Sequence, residues 1–206
     1  MVERHLLILS TAYYPPVQYF TEIVRAEKVL LEQNETYPRQ TYRNRCYIYS
    51  ANGSLPLSIP VEKGSFHKIQ VRDLKIDNSR KWQREHIHAI RSAYNSASFY
   101  EFYSEQLLKP LEGKYKYLID LNMDILGIIL NILEFDITIE KTTSFTKDYG
   151  DNCLDIRYSL SPKNDITYKQ NEYFQVFSPV HGFKPNLSII DLIFNMGPET
   201  WTYLRT

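Results

Sequence analysis

Residues 6–9, Leu-Leu-Ile-Leu, form a short unbroken apolar run. A run of that length predicts a buried strand. It stops at Tyr13-Tyr14-Pro15-Pro16, where the prolines push the residues before them out of the helical region and impose a turn. Pro16 suits the first position of a helix reaching to about residue 26. Val17, Phe20, Ile23 and Val24 give that helix one apolar face. Residues 28–32 predict a second short strand.

Over 42–61 the period drops to two. A turn centred on Asn52-Gly53 sets Cys46 opposite Ile59, Ile48 opposite Leu57, Asn44 opposite Val61 and Arg43 opposite Glu62. A strict two-residue loop there would put Pro56 and Pro60 at hydrogen-bonded positions, where their missing N–H would be needed. A loop over 51–54 keeps the pairs and moves both prolines to non-hydrogen-bonded positions on an edge strand. A further strand is expected over 68–76, from Ile69, Val71, Leu74 and Ile76.

From Asn78 onward the pattern becomes helical. Ser79 is placed to cap a helix over 81–96, and further helices are expected over 98–108 and 116–133. Strands return at 137–141, 154–158 and 173–176. A last helix over 188–196 ends at Gly197-Pro198, with Ser188 and Asp191 placed as a capping-box-like pair. Strands, then helices, then strands predict an α+β or mixed α/β fold as one domain over 1–206. It would have a central mixed sheet that includes the hairpin at 42–61, a helical lobe around 80–133 and a C-terminal helix.

Composition narrows the function classes. Lys+Arg and Asp+Glu are equal at 24 each, so no general attraction to nucleic acid or to an anionic membrane is expected. The longest apolar stretch, 125–133, is too short for membrane insertion. No secretory leader is evident, and a cytoplasmic protein is expected. Cys46 and Cys153 lack metal-type spacing and are expected as free thiols. Nothing in the pattern specifies an oligomer. Tyrosine is abundant, 17 against 10 Phe and 2 Trp. Its apolar body and polar tip suit polar-ligand clefts, and equally a core whose hydroxyls reach the surface.

Nucleotide and hydrolase fingerprints are missing from the chain: there is no G-x-G-x-x-G, P-loop, H-E-x-x-H or G-x-S-x-G. No cofactor or metal is expected. With 7 glycines, a phosphate or carboxylate would meet arginine side chains rather than a backbone cradle. Thr41, Arg43, Arg45 and Tyr47 would share one strand face, so Arg43 and Arg45 could form a double fork for an anion. Alternatively, Arg43 simply pairs with Glu62. Gln40, Tyr42, Asn44, Cys46 and Ile48 would share the other face, where apolar neighbours make Cys46 an inert thiol. Trp82, His86, Ile90 and Ala93 form one inward helical stripe, with His86 either a satisfied core group or a general base. His181 lies in a Gly- and Pro-flanked loop and is a second candidate base. Asp191 and Asn195 stack at i and i+4 on the last helix, for ligand contact or for local hydrogen bonding.

Four segments, 10–20, 39–46, 52–61 and 181–199, carry a resemblance. The chain resembles the bacterial WbqC-like protein family almost from end to end. The resemblance implies association with O-antigen and other surface-polysaccharide gene clusters. It also implies a suggested acyl or aminoacyl (glycine) transferase role on a sugar or nucleotide-sugar precursor, with an acyl or aminoacyl donor. In that role His86 and His181 are the catalytic candidates. Tyr13, Tyr14, Gln18, Gln40, Arg43, Asn44, Arg45, Asn186, Asp191 and Asn195 are the candidates for binding substrate. The alternative is a non-catalytic binding or scaffold protein of a polysaccharide assembly pathway.

Overall fold

The computed structural model describes residues 6–62, 69–164 and 169–206. β1 (Leu6–Ser10), β2 (Lys28–Glu32), β5 (Ile139–Lys141) and β6 (Cys153–Asp155) form one sheet in the order β5-β2-β1-β6. Every pairing in it is parallel. Parallel strands are covered on both faces, which explains the continuous apolar run: Leu7, Ile8 and Leu9 are fully buried. Helix α1 (Val17–Arg25) links β1 to β2 and buries Val17, Phe20 and Ile23, as its spacing predicts.

The mixed α/β class, the hairpin, the helical lobe and the C-terminal helix are all present. The strands, however, divide into two sheets. β3 (Arg45–Ser50) and β4 (Gly53–Ser58) pair only with each other among the described strands. Their register is shifted by two residues from the expected one, with Cys46 opposite Leu57 and Ile48 opposite Leu55. The loop is Ala51-Asn52, and Gly53 follows it at φ 97°. A shift of two keeps the same side chains on the same face. It also leaves Pro56 opposite Tyr47, away from the ladder bonds, because the hydrogen-bonded pairs alternate from Ser50–Gly53 to Asn44–Ile59. The loop is thus two residues long rather than the expected four over 51–54, and by starting one residue before Asn52-Gly53 it still keeps Pro56 off the ladder.

Helices α2 (Trp82–Tyr94), α3 (Tyr100–Leu108) and α4 (Leu118–Ile132) make the lobe. The Trp82, His86, Ile90, Ala93 stripe is buried and His88 is exposed. Ser79 does not cap α2; its N–H and Oγ donate to Asp77 instead. Short helices α5 (Ser178–His181) and α7 (Thr200–Leu204) flank α6 (Ile189–Met196), which is buried from Ile189 through Asn195. Ser188 caps α6 through the Ile190 N–H, whereas the Asp191 carboxylate turns away from the cap to Tyr94, Tyr173 and Gln175.

The strand expected over 68–76 is instead a short tight turn at Val71–Asp73 between isolated bridges, with Lys68 outside the described residues. Its buried residues Val71 and Leu74 are three apart, a spacing that fits a 3₁₀ turn rather than a strand. The strand expected over 173–176 is absent: residues 173–175 alternate in burial but join no ladder, and Val176 lies in a turn. The Gln175 side chain takes the place of a neighbouring strand: its amide donates to Lys184 O at 3.0 Å and accepts from Lys184 N at 2.9 Å. One apolar core joins both sheets, the lobe and the C-terminal helices. Among the described residues no helix is long and apolar enough to cross a membrane.

Candidate functional site at the carboxyl edge of the sheet

In open parallel sheets, ligands bind outside the carboxyl ends of the strands, where the strand order reverses. Here that place lies between β1 and β6, since β2 flanks β1 on its other side. β1 ends at Ser10, β2 at Glu32 and β6 at Asp155, and Thr142 follows β5 directly. These strand-end residues meet two arginines.

Arg157 folds back over the end of β6. Its Nε and Nη2 donate to Asp155 at 2.6–3.0 Å and its Nη1 donates to Glu32 at 3.2 Å. It also donates to the carbonyls of Thr146 and Lys147. The Arg157 and Glu32 side chains are both 0% exposed. Glu32 further accepts from Thr142 Oγ1 and Asn34 N. Arg43 grips Glu35 through both carboxylate oxygens, at 2.7 and 2.6 Å. The same guanidinium donates to Ser10 Oγ and to Arg157 O. One hydrogen-bonded cluster thus links the ends of β1, β2 and β6.

Aromatic rings roof the cluster. Phe145, Tyr149 and Tyr158 lie with their centroids 5.2–5.7 Å from the Arg157 guanidinium carbon. Tyr158 also lies 5.9 Å from that of Arg43. Such stacking suits a weakly hydrated guanidinium. Tyr158 is 54% exposed and Phe145 46%, so their outer surfaces face solvent. Partial burial, followed by the Glu35 carboxylate, raises the pKa of the Tyr158 phenol and keeps it a hydrogen-bond donor, against the pull of Arg157 and Arg43. Lys147 and Lys163 are exposed nearby, Lys163 donating to Arg39 O. Among the described residues no three His, Cys, Asp or Glu side chains gather as metal ligands.

The expected arginine double fork does not form. Residues 39–44 are turns and bends rather than strand, and Gln40 is exposed at φ 56°. Arg43 turns inward to Glu35 rather than to Glu62, while Arg45 is held by Ser58 Oγ at 2.7 Å. Asn44 closes the hairpin through Ile59 O at 2.9 Å.

The other expected residues fall into separate groups. Gln18 and Asn186 pair with each other: Asn186 Oδ1 accepts the Gln18 N–H at 3.0 Å and Leu187 O accepts the Val17 N–H at 2.9 Å. A helix N-terminus of this kind often holds a phosphate. Here the C-terminal segment already occupies the first amides of α1.

Tyr13 OH lies 2.8 Å from His86 Nδ1, and both are buried. Burial lowers the His86 pKa to about 4, against a hydrogen bond to the Ser58 backbone that raises it. His86 is therefore a neutral core group that accepts from Tyr13 and donates to Ser58. Tyr14 donates to Leu107 O. His181 Nε2 lies 2.7 Å from Ala51 O at the hairpin loop. Ser58 ends β4 and Ala51 lies in the loop before its start, so the length of the strand, roughly 17 Å at ~3.3 Å per residue, separates them. The two histidines thus serve different places. Asp191 is fully buried among Tyr94, Tyr173 and Gln175, and Asn195 Nδ2 donates to Asp191 O at 2.7 Å. Cys46 is buried, and burial pushes its thiol pKa far up.

Sequence reasoning passed over Ser10, Glu32, Glu35, Asp155, Arg157 and Tyr158. One signal was present: Glu32 and Asp155 are carboxylates at the ends of apolar strands, where a parallel sheet puts its ligands.

Fold and cluster together define a parallel α/β protein with a polar, aromatic-roofed edge at the carboxyl ends of its strands. The chain belongs to the WbqC-like protein family, whose family model matches residues 11–165. That span includes Glu32, Glu35, Arg43, Asp155, Arg157 and Tyr158, but not the segment 181–199. The chain is also similar to a Mycobacterium tuberculosis protein described as uncharacterized protein Rv1507c, at 24% identity over 228 residues covering 98% of each chain. No solved structure matches.

Proposed function

We propose that this chain is a cytoplasmic protein of surface-polysaccharide (O-antigen) biosynthesis that binds a nucleotide-sugar precursor at the carboxyl edge of the parallel sheet. One observation carries the reading: half-exposed Tyr158 and Phe145 stand over two guanidinium groups whose charge is more than balanced by the three carboxylates of Glu32, Glu35 and Asp155. A surface of that kind suits the apolar face of a sugar ring, while the Tyr158 phenol, whose O–H donates to Glu35, offers its oxygen to accept from a ring hydroxyl. Lys147 and Lys163 supply positive charge beside it for a diphosphate. WbqC-like membership supports the pathway, and the reaction this reading assigns is acyl or aminoacyl transfer to the bound sugar.

Thermal melts with UDP-, dTDP- and GDP-sugars test it. At least one should raise the melting temperature of the wild type, and Tyr158→Ala should bind it at least about tenfold more weakly. If none shifts the melt, or Tyr158→Ala binds like the wild type, the reading fails.

A second reading, a non-catalytic sugar-binding or scaffold protein of the same pathway, is favoured by the engagement of His86 in the core and His181 at the hairpin loop. Normal polysaccharide made by a folded His86→Gln, His181→Ala double variant would remove the histidines as bases and support it. Loss of polysaccharide with the fold intact would favour the enzyme.

A further inference from the structure

Helix α4 turns Asp120, Asp124, Gly127 and Asn131 outward at the spacing of a single helix face. Two hollows of about 680 and 660 Å³ open along this face and share Asp124, Ile128 and Asn131. The larger runs on through Phe135, Asp136 and Ile137 into a third, of about 200 Å³, bounded by α1 residues and Trp201. Each hollow shares residues with the next, so the three lie in series and together make up a trough. It follows α4, which is about 22 Å long, and then rounds its C-terminal end. There it reaches Glu27 and Ile137, which precede β2 and β5. That is the amino edge of the sheet, opposite the carboxyl-edge cluster.

Three features of the trough point to its occupant. Its floor is apolar, with Ile128, Leu130 and Phe135 half-buried. Its rim is acidic: Glu27, Glu112, Asp124, Glu134 and Asp136 face a single Lys109, although the chain as a whole has balanced charge. Among the described residues Glu27, Glu112, Glu134 and Asp136 form no ion pair. Third, Gly127 interrupts the exposed middle of α4 although a Cβ there would meet nothing within 4 Å. A glycine weakens a helix interior, and no contact within the chain calls for this one. A bare backbone at that point lets another backbone come close. At the far end the chain's own Arg205 already stacks on Trp201, 3.7 Å from the ring centroid, so a partner's cations would meet the carboxylates rather than this ring.

We propose that this trough docks a basic amphipathic helix of a protein partner. The helix lies along α4, with its apolar stripe on Ile128, Leu130 and Phe135. Its lysines and arginines face Glu134, Asp136 and Glu27, and it crosses α4 at Gly127.

The test uses the full chain and a fluorescein-labelled synthetic helix with leucine on one face and lysine on the other. Anisotropy should show binding that weakens as salt rises. A Glu134→Lys, Asp136→Lys double variant should bind at least about tenfold more weakly, and Gly127→Trp should abolish binding, while both keep the wild-type circular dichroism and melt no lower than the wild type. The same peptide with glutamate for lysine should not bind. Equal binding of both peptides, or undiminished binding by the folded variants, overturns the proposal. So does preferential binding to anionic lipid vesicles, or a dimer in sedimentation that Gly127→Trp dissolves. Nucleotide-sugar melts read a different edge of the sheet, so either idea can fail while the other stands.

Discussion

Arg43 and Glu35 form a two-pronged ion pair, Nε to Oε1 at 2.7 Å and Nη2 to Oε2 at 2.6 Å, with side chains 3% and 0% exposed. Two charges buried this deeply cost more in desolvation than an exposed pair, so their value depends on both being present. Removing one leaves the other uncompensated. Arg43→Met should therefore destabilise the protein by about 3–5 kcal/mol. An Arg43→Met, Glu35→Leu double variant should recover much of that loss. Urea unfolding of the two singles and the double gives the coupling. Strictly additive losses would show that the pair is not acting as a unit.

Two buried groups of opposite sense titrate in the same acid window. Burial raises Asp191 from 3.8 to about 6, against hydrogen bonds from Tyr173, Tyr94 and Gln175 that lower it. Its contribution is full below the unfolded pKa and is lost as pH rises through about 6. Burial lowers His86 from 6.5 to about 4. Its contribution is full above 6.5 and is lost as pH falls through about 4. Each amounts to roughly 3 kcal/mol, so the two nearly cancel and wild-type stability should be flat between about pH 4 and 6. Asp191→Asn should expose a rise with pH across that window. His86→Gln, which keeps one donor and one acceptor, should expose a fall. Denaturation at a series of pH values checks both slopes, and parallel curves for all three proteins would refute the account.

How far the chain could be read in advance depended on how local each feature is. β1, β2 and the stripe of α2 rest on spacing within a few residues, and Leu7–Leu9 and Trp82–His86–Ile90 lie where that spacing puts them. The hairpin faces were legible for the same reason, while the register was not. Parity survives a two-residue slip, and only the placement of the Ala51-Asn52 loop distinguishes the alternatives. The edge cluster was least legible. Ser10, the Glu35–Arg43 pair and Arg157 lie far apart in the chain, and only the fold brings them together. Residues 39–44 are turns and bends, with Gln40 at φ 56°, so the strand begins only at Arg45. Arg43 therefore turns into the protein rather than lining a face with Arg45.

Two glycines should respond to alanine in opposite directions. At Gly197, φ is 53° and a Cβ would lie 2.5 Å from the Phe99 ring. The backbone conformation alone should cost about 1–3 kcal/mol, and the clash adds to it. Gly127 sits in open space within α4, where alanine should gain about 0.5–1 kcal/mol. Thermal melts of the two variants should therefore move apart, with Gly197→Ala lower and Gly127→Ala higher than the wild type.

The two thiols should separate cleanly in reactivity. Cys46 is 1% exposed between the hairpin and the lobe, and burial holds its thiol protonated. Cys153 is partly exposed and donates to Gly150 O at 3.2 Å. An excess of a thiol reagent should modify Cys153 in the folded protein, with Cys46 following only at the rate of global unfolding. Cys46→Ser should leave nucleotide-sugar binding unchanged. Fast labelling of Cys46 under native conditions, or loss of function in a folded Cys46→Ser variant, would show that the thiol is not the inert core group its burial implies.

At the carboxyl edge, ring stacking and charge should separate by their salt dependence. The buried arginines are spent on Glu32, Glu35 and Asp155, so a diphosphate must depend on the exposed Lys147 and Lys163. Interactions of exposed charges are screened over about 8 Å at physiological salt. Lys147→Ala and Lys163→Ala should thus weaken nucleotide-sugar binding at low salt by several-fold, and by less at high salt. Tyr158→Ala should weaken it by a factor that salt leaves unchanged, because ring stacking carries no net charge. Tyr158→Phe keeps the stack but loses the phenol together with its bond to Glu35, so its binding loss beyond any change in the melt of the free protein measures the hydrogen bond to the sugar, about 0.5–1.5 kcal/mol. Calorimetry of the four variants at two salt concentrations yields both components. A salt-independent loss in the lysine variants would mean that the phosphates are held elsewhere.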